Sequence, residues 1–170
     1  MSTRHAVVQT VFGEVTIVAD RDAVVGLYYP QHWTNPDRTA FGRQVDADDD
    51  VLLGTARAQL VAYLAGERTS FDLPTAATGT GFEQRVWQVL AAIPYGETMS
   101  YGEIAESLGD RNLARIVGRA VGHNPLSIVV PCHRVVGRDG KLTGYAGGLA
   151  RKHFLLELEG LAPVGTDRLF

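Results

Sequence analysis

The chain has 170 residues, 45% of them hydrophobic, a formal net charge of −3 and a single cysteine. That suffices to bury the core of one domain, or of two small domains sharing an interface, while one cysteine excludes both an internal disulfide and a cysteine-rich zinc site. The apolar stretches fall well short of the roughly 20 residues of a membrane span, and the start, Met1 to Gln9, lacks the apolar core of a secretory signal, so a cytoplasmic protein without a membrane partner is expected.

The first thirty residues alternate as strands do: His5 to Phe12, Glu14 to Ala19 and Ala23 to Tyr29, with turns at Gly13 and at Asp20-Arg21-Asp22. A three-stranded meander is the simplest reading. Residues 31–50 turn polar and end in the acidic run Asp46-Ala-Asp-Asp-Asp50, which suits the N-terminus of a helix over Val51 to Leu64, stopped at Gly66. Thr69 to Gly81, with Pro74 and Gly79, reads as a linker to a second unit. Charge divides along the same line. Residues 1–79 carry 6 Lys and Arg against 10 Asp and Glu, and residues 80–160 carry 9 against 8, so the second unit is better suited to meet a polyanion.

The second unit opens on a capping box, Thr80-Gly-Phe-Glu83, followed by Phe82, Val86, Val89, Leu90 and Ile93 at helical spacing until Pro94. A second capping box, Ser100-Tyr-Gly-Glu103, starts a short helix with Ile104, Ala105 and Leu108 inward and Gly109 at its end. In the next helix Leu113, Ile116, Val117, Ala120 and Val121 fall on one face, and Arg111, Arg115 and Arg119 are spaced i, i+4, i+8. Two short helices with an arginine stripe make a helix-turn-helix pattern. The alternative is an ordinary pair of packed helices whose arginines are solvated, although Gly118 and Gly122 would let the backbone approach another surface.

The cysteine, Cys132, follows the apolar run Leu126 to Val130, which predicts a buried strand ended by Pro131, with the thiol at its mouth. Burial as a small hydrophobe, redox sensing and catalysis are all open to it. His133 is the nearest base, and Arg134 argues against a purely apolar slot. A third group to orient the histidine would come from the end of a helix over Ala150 to Glu159, where composition does not choose between Glu157 and Glu159.

Several of these motifs together carry a resemblance. Pro131-Cys-His-Arg134 preceded by Asn124-Pro125, with Ile93-Pro-Tyr-Gly-Glu97, Ser100-Tyr101, Ala114-Arg-Ile-Val-Gly118, Gly144-Tyr-Ala-Gly-Gly148 and Leu155-Leu-Glu-Leu-Glu-Gly160, resembles the O6-alkylguanine-DNA alkyltransferase family, whose members are methylated-DNA-protein-cysteine methyltransferases. The resemblance implies an α/β plus mainly α architecture. A ribonuclease-H-like α/β domain would occupy residues 1–78, and a helical domain with a winged helix-turn-helix-like motif would occupy residues 79–170.

The resemblance also implies a chemistry. An alkylated guanine, or O4-alkylthymine, would be flipped from double-stranded DNA and its alkyl group moved irreversibly to Cys132, one turnover per molecule. His133 would act as base through a water, Glu159 would hold the imidazole, Tyr101 would donate to the departing guanine, and Asn124 would brace the turn before the thiol. Arg115 would enter the base stack, with Ala114, Gly118, Arg119 and Tyr101 along the minor groove. Tyr145, Ala146, Gly147, Gly148 and Val135 would line the pocket. No cofactor or metal is expected, and the protein would act as a monomer, associated with the nucleoid while on DNA. Ser127 stands where some relatives carry proline, and Ala146 where some carry serine. A non-repair thiol enzyme or redox sensor built on Cys132, His133 and Glu159 is the alternative, and a DNA-binding module without chemistry would have no use for the cysteine.

Overall fold

The computed structural model describes residues 2–32, 34–140 and 144–161; residues 162–170 of the expected second domain lie outside them. The meander forms as the alternation predicts: β1 (Thr3–Thr10), β2 (Gly13–Asp20) and β3 (Ala23–Tyr28) pair antiparallel. A two-residue strand, β4 (Arg43–Gln44), adds parallel to β1, giving the order β3-β2-β1-β4. Two residues are too few to leave a periodic signal.

Helix α1 (Val51–Leu64) covers one face of this sheet with Leu53, Ala56, Leu60 and Tyr63, all buried against Ala6, Val15, Ile17 and Leu27. The acidic run works as expected at its start. Asp50 accepts the Leu53 amide at 3.0 Å and pairs with Arg4 Nε at 2.7 Å, tying the helix to β1. A cap of this kind contributes about 1 kcal/mol.

The stretch after α1 is more than a linker. The Gln59 amide donates to the Asp72 carbonyl at 3.0 Å and accepts the Asp72 N–H at 2.8 Å, and Val24 on the outer edge of β3 bonds to Pro74 and Ala76. Further along the same edge, the Leu27 N–H donates to the Pro125 carbonyl at 2.8 Å. An edge strand that would otherwise expose unpaired amides is thereby covered by the linker stretch and by chain from the second unit.

Both predicted capping boxes are present. Thr80 and Glu83 close the start of α2 (Gly81–Ala91), and Ser100 and Glu103 close the start of α3 (Tyr101–Ser107). Helix α4 (Ala114–Gly122) follows a 3-10 turn at Arg111–Leu113, and α5 (Leu149–Leu158) ends the described chain. Val86, Leu90, Ile104, Ala105, Val117 and Val135 build a second core, with the Trp87 indole N–H donating to the Ala120 carbonyl at 2.9 Å. A two-residue parallel pair, β5 (Met99–Ser100) with β6 (Val135–Val136), joins α3 to the thiol segment. No helix among the described residues is long and apolar enough to cross a membrane.

Two expectations are corrected. Residues 126–130 are not a strand: only Leu126 bridges Leu27, and the chain then turns tightly, with the Val130 N–H reaching back to the Leu126 carbonyl at 2.9 Å. The run is apolar because it is buried between the two cores. It cannot extend because Asn124 gathers both its ends, Nδ2 donating to the Val130 carbonyl at 2.9 Å and Oδ1 accepting the Leu126 N–H at 3.0 Å. Nor does Arg111 belong to the arginine stripe. The 3-10 turn rotates it away to pair with Glu106 at 3.0 Å, leaving Arg115 and Arg119 exposed on α4.

Candidate active site

Cys132 opens a 3-10 turn, Cys132–Arg134, directly behind Pro131. The approach is strained. Ile128 sits at φ 73°, a left-handed conformation that costs a β-branched residue roughly 1–3 kcal/mol. Burial of Ile128 in the first core, the Leu126–Leu27 bridge and the Asn124 clasp hold the turn in place. Ser127, between them, is fully buried, and its Oγ makes no hydrogen bond among the described residues.

The turn sends its three side chains in different directions. Cys132 is 4% exposed and forms part of the wall of a cavity of about 380 Å³. His133 and Arg134 turn inward together, onto Glu159 at the end of α5. His133 Nε2 lies 2.7 Å from Glu159 Oε2, and Arg134 donates Nε to Oε1 at 2.8 Å and Nη2 to Oε2 at 3.0 Å. Tyr63 from α1 donates to the same carboxylate, and the Gly96 amide reaches it at 3.4 Å.

This crowding decides the charges. Burial alone would raise the Glu159 carboxyl, but the hydrogen bonds from His133 and Arg134 overcome it and hold the group at about 2. Burial pushes the His133 imidazole down, against the pull of Glu159, so the ring is neutral near pH 7. A neutral ring bonded to an ionised carboxylate carries its proton on Nε2. His133 Nδ1 makes no hydrogen bond among the described residues and is left as a basic lone pair.

The thiol itself is raised by burial, while the Asn124 amide and the Lys152 ammonium pull it the other way. The resting residue is therefore a thiol. A proton acceptor must act before it becomes a nucleophile. Lys152 is fully buried in α5, donates to the Val135 carbonyl at 2.5 Å, and is pushed down to about 8 by burial.

Around the cavity, Tyr101 from α3 and Gly118, Val121 and Gly122 from α4 face Gly144, Tyr145 and Ala146 from the loop before α5. Its lining is largely apolar, as a pocket for a flat ring and an alkyl group requires. The structure thus brings Cys132, His133, Glu159 and Asn124 into one cluster and puts Tyr101, Gly118, Tyr145 and Ala146 on the cavity. Three expected pocket residues stand elsewhere. Val135 is buried in β6, Gly148 precedes α5 at φ 88°, and Gly147 abuts the ring of Tyr29. Ala114 is partly buried at the start of α4, ahead of the exposed Arg115.

Sequence reasoning missed Val121 on the cavity and Tyr63 and Lys152 around the thiol and its carboxylate, and it noted Gly122 and Arg134 without placing Gly122 on the cavity or Arg134 on Glu159. Lys152 did leave a trace: it stands three and four residues before Leu155 and Leu156, on the buried stripe of α5, where a lysine is out of place. Tyr63 left none, because a tyrosine on the buried face of α1 looks like any core residue.

Comparison with known proteins gives a consistent picture. The family model described as 6-O-methylguanine DNA methyltransferase, DNA binding domain, matches residues 81–161, and that described as 6-O-methylguanine DNA methyltransferase, ribonuclease-like domain, matches residues 3–77. A methylated-DNA-protein-cysteine methyltransferase of Mycobacterium tuberculosis is 50% identical over 152 residues, spanning 88% of this chain and 84% of the relative. The constitutive methylated-DNA-protein-cysteine methyltransferase of Bacillus subtilis is 41% identical over 157 residues, 91% of this chain and 94% of the relative. The crystal structure of Mycobacterium tuberculosis OGT in complex with DNA matches the fold with a TM-score of 0.85 at 45% identity, covering 92% of this chain and 93% of that one. Both halves of the chain, and the order in which they occur, are those of the 6-O-methylguanine DNA methyltransferase family, to which this protein belongs.

Proposed function

We propose that this protein repairs DNA by moving an alkyl group from O6-alkylguanine, and from O4-alkylthymine, onto Cys132, once per molecule. The observation that carries this reading is the position of the thiol. Cys132 forms part of a largely apolar cavity bounded by the arginine-bearing helix α4, with the His133–Glu159 pair beside it.

In this reading His133 Nδ1 takes the thiol proton through a bridging water while Glu159 stabilises the imidazolium that forms. The thiolate attacks the alkyl carbon from the side opposite O6. A sulfur–carbon bond forms as the carbon–oxygen bond breaks, its electron pair passes to the guanine, and Tyr101 donates a hydrogen bond or proton to the departing ring. The product is a thioether. No group lining the cavity among the described residues reverses it, so each molecule acts once.

Arg115 and Arg119 serve as the contact with duplex DNA along the minor groove. Arg115 enters the stack where the flipped nucleotide stood, and a poorly paired, damaged base lowers the few kcal/mol that flipping costs. Every residue this scheme needs lies on one chain, so a monomer suffices, working at the nucleoid. The redox-sensor alternative is not favoured: sensor thiols are exposed and of low pKa, whereas Cys132 is 4% exposed and raised.

The test is intact mass after incubation with an O6-methylguanine oligonucleotide. Wild-type protein gains one methylene unit, and Cys132→Ser gains none. An unchanged wild-type mass with excess DNA would sink the proposal.

A further inference from the structure

Tyr29, from the first domain, lies immediately behind the cavity loop. It follows β3, is fully buried, and its hydroxyl lies 2.6 Å from the hydroxyl of Tyr145. Its ring fills the space a side chain at Gly147 would need: a Cβ there would stand 2.6 Å from Tyr29 Cε2. The ring is held on its other sides by the edge of Phe12, with centroids 5.6 Å apart, and by the Arg151 guanidinium, 5.1 Å from its centroid. Arg151 in turn donates to the Gly147 carbonyl at 3.2 Å. The loop carrying Tyr145 is thus clasped to the first domain through one residue.

The hydroxyl pair also has a direction. Burial raises both phenols above their ordinary range, so both keep their protons near pH 7, and the pair holds two protons. Only one can lie between the oxygens. Tyr29 Oη has no second partner among the described residues and no solvent, so if Tyr145 donated, the Tyr29 proton would be stranded in the core. A buried unsatisfied donor costs about 1–3 kcal/mol. Tyr145 faces the cavity it shares with Cys132. Either hydroxyl can donate by geometry, and the arrangement that strands no proton in the core has Tyr29 donating, Tyr145 accepting and the Tyr145 proton pointing into the cavity.

We propose that Tyr29 is a positioning residue for alkyl transfer, fixing the ring of Tyr145 and turning its hydroxyl proton toward the space beside Cys132. There an O–H donor stabilises the anion that forms on sulfur before transfer. The role rests on the reading of Cys132 as alkyl acceptor. It makes the first domain a working part of the site, because the residue that follows β3 sets the orientation of a group in the pocket.

Single-turnover methyl transfer at saturating O6-methylguanine duplex tests it, with wild type, Tyr29→Phe, Tyr145→Phe and the double variant, alongside duplex affinity and thermal unfolding. Tyr29→Phe removes one oxygen and keeps the packing. It is expected to slow transfer about 3- to 10-fold, the factor one hydrogen bond contributes, with duplex affinity unchanged because α4 is untouched. On the Tyr145→Phe background the same substitution is expected to have no further effect, since both hydroxyls serve one interaction. A wild-type rate for Tyr29→Phe overturns the role, as does an equal slowing on the Tyr145→Phe background. A slowing that follows only a lost fraction of folded protein overturns it too. If wild-type protein takes up no methyl group, the acceptor reading fails and the Tyr29 role falls with it; if it does, only Tyr29 is at stake.

Discussion

Arg134 grips Glu159 with two nitrogens, Nε on one carboxylate oxygen at 2.8 Å and Nη2 on the other at 3.0 Å. The same carboxylate orients His133, so the residue next to the histidine sets the charge and angle of the group the histidine depends on. Arg134 also donates to the Ile93 carbonyl at 2.7 Å, which ties the end of α2 to the site. The network is shared between structure and chemistry.

Removing the guanidinium is expected to be costly. Arg134→Met leaves a fully buried carboxylate short of its countercharge, and breaking such a pair typically costs about 3–5 kcal/mol. Urea unfolding of the variant should show a clearly lower midpoint with an unchanged slope. A midpoint within error of wild type would mean that Tyr63, His133 and the Gly96 amide suffice for Glu159.

Acid should attack the same point. The folded Glu159 sits at about 2, below its ordinary 4.5, so its contribution to stability is complete above about pH 4.5 and is lost as pH falls toward 2. His32, pushed down by burial to about 4 from 6.5, acts over a higher window: the folded state resists its protonation, so stability falls as pH drops from about 6.5 to 4. Denaturation midpoints measured across pH 2–7 should show both slopes. Glu159→Gln should flatten the lower one.

Arg115 and the chemistry should separate. Arg115 is exposed on α4 and touches no part of the thiol network, so Arg115→Ala is expected to weaken duplex binding about tenfold or more, on the scale of a base-stack contact. Reaction with the free base O6-benzylguanine should stay near the wild-type rate. Equal losses with duplex and free base would remove Arg115 from the DNA contact.

Gly147 is predicted to tolerate no side chain. Its Cβ would meet the Tyr29 ring at 2.6 Å, and that ring is pinned by Phe12 and Arg151. Gly147→Ala should cost about 1–3 kcal/mol through overpacking and should slow methyl transfer by displacing Tyr145. Gly144→Ala, where an added Cβ meets nothing within 4 Å, is the control for stability.

Much was legible because it is written locally. The capping boxes at Thr80 and Ser100, the acid cap at Asp50 and the apolar spacing of α2 each depend on residues within a few positions of one another, and each forms as read. The run before Cys132 is ambiguous in sequence because five apolar residues satisfy a strand and a buried turn equally well. What bends it is Asn124, through two hydrogen bonds that only the folded chain reveals. The arginine stripe lost Arg111 for a similar reason, since the 3-10 turn that precedes α4 shifts the register its spacing assumed.

Which chemistry was available is legible in the chain alone: one thiol followed by histidine and arginine, an asparagine eight residues before it, two capped helices followed by a helix with exposed arginines, and a carboxylate at the end of the last described helix. Which groups meet follows from the packing of the folded chain. Glu159 reaches His133 across 26 residues, Tyr63 reaches Glu159 across 96, and Tyr29 reaches Tyr145 across 116. No local pattern specifies such contacts, because they follow from how two hydrophobic cores pack against each other, and that packing depends on the whole chain.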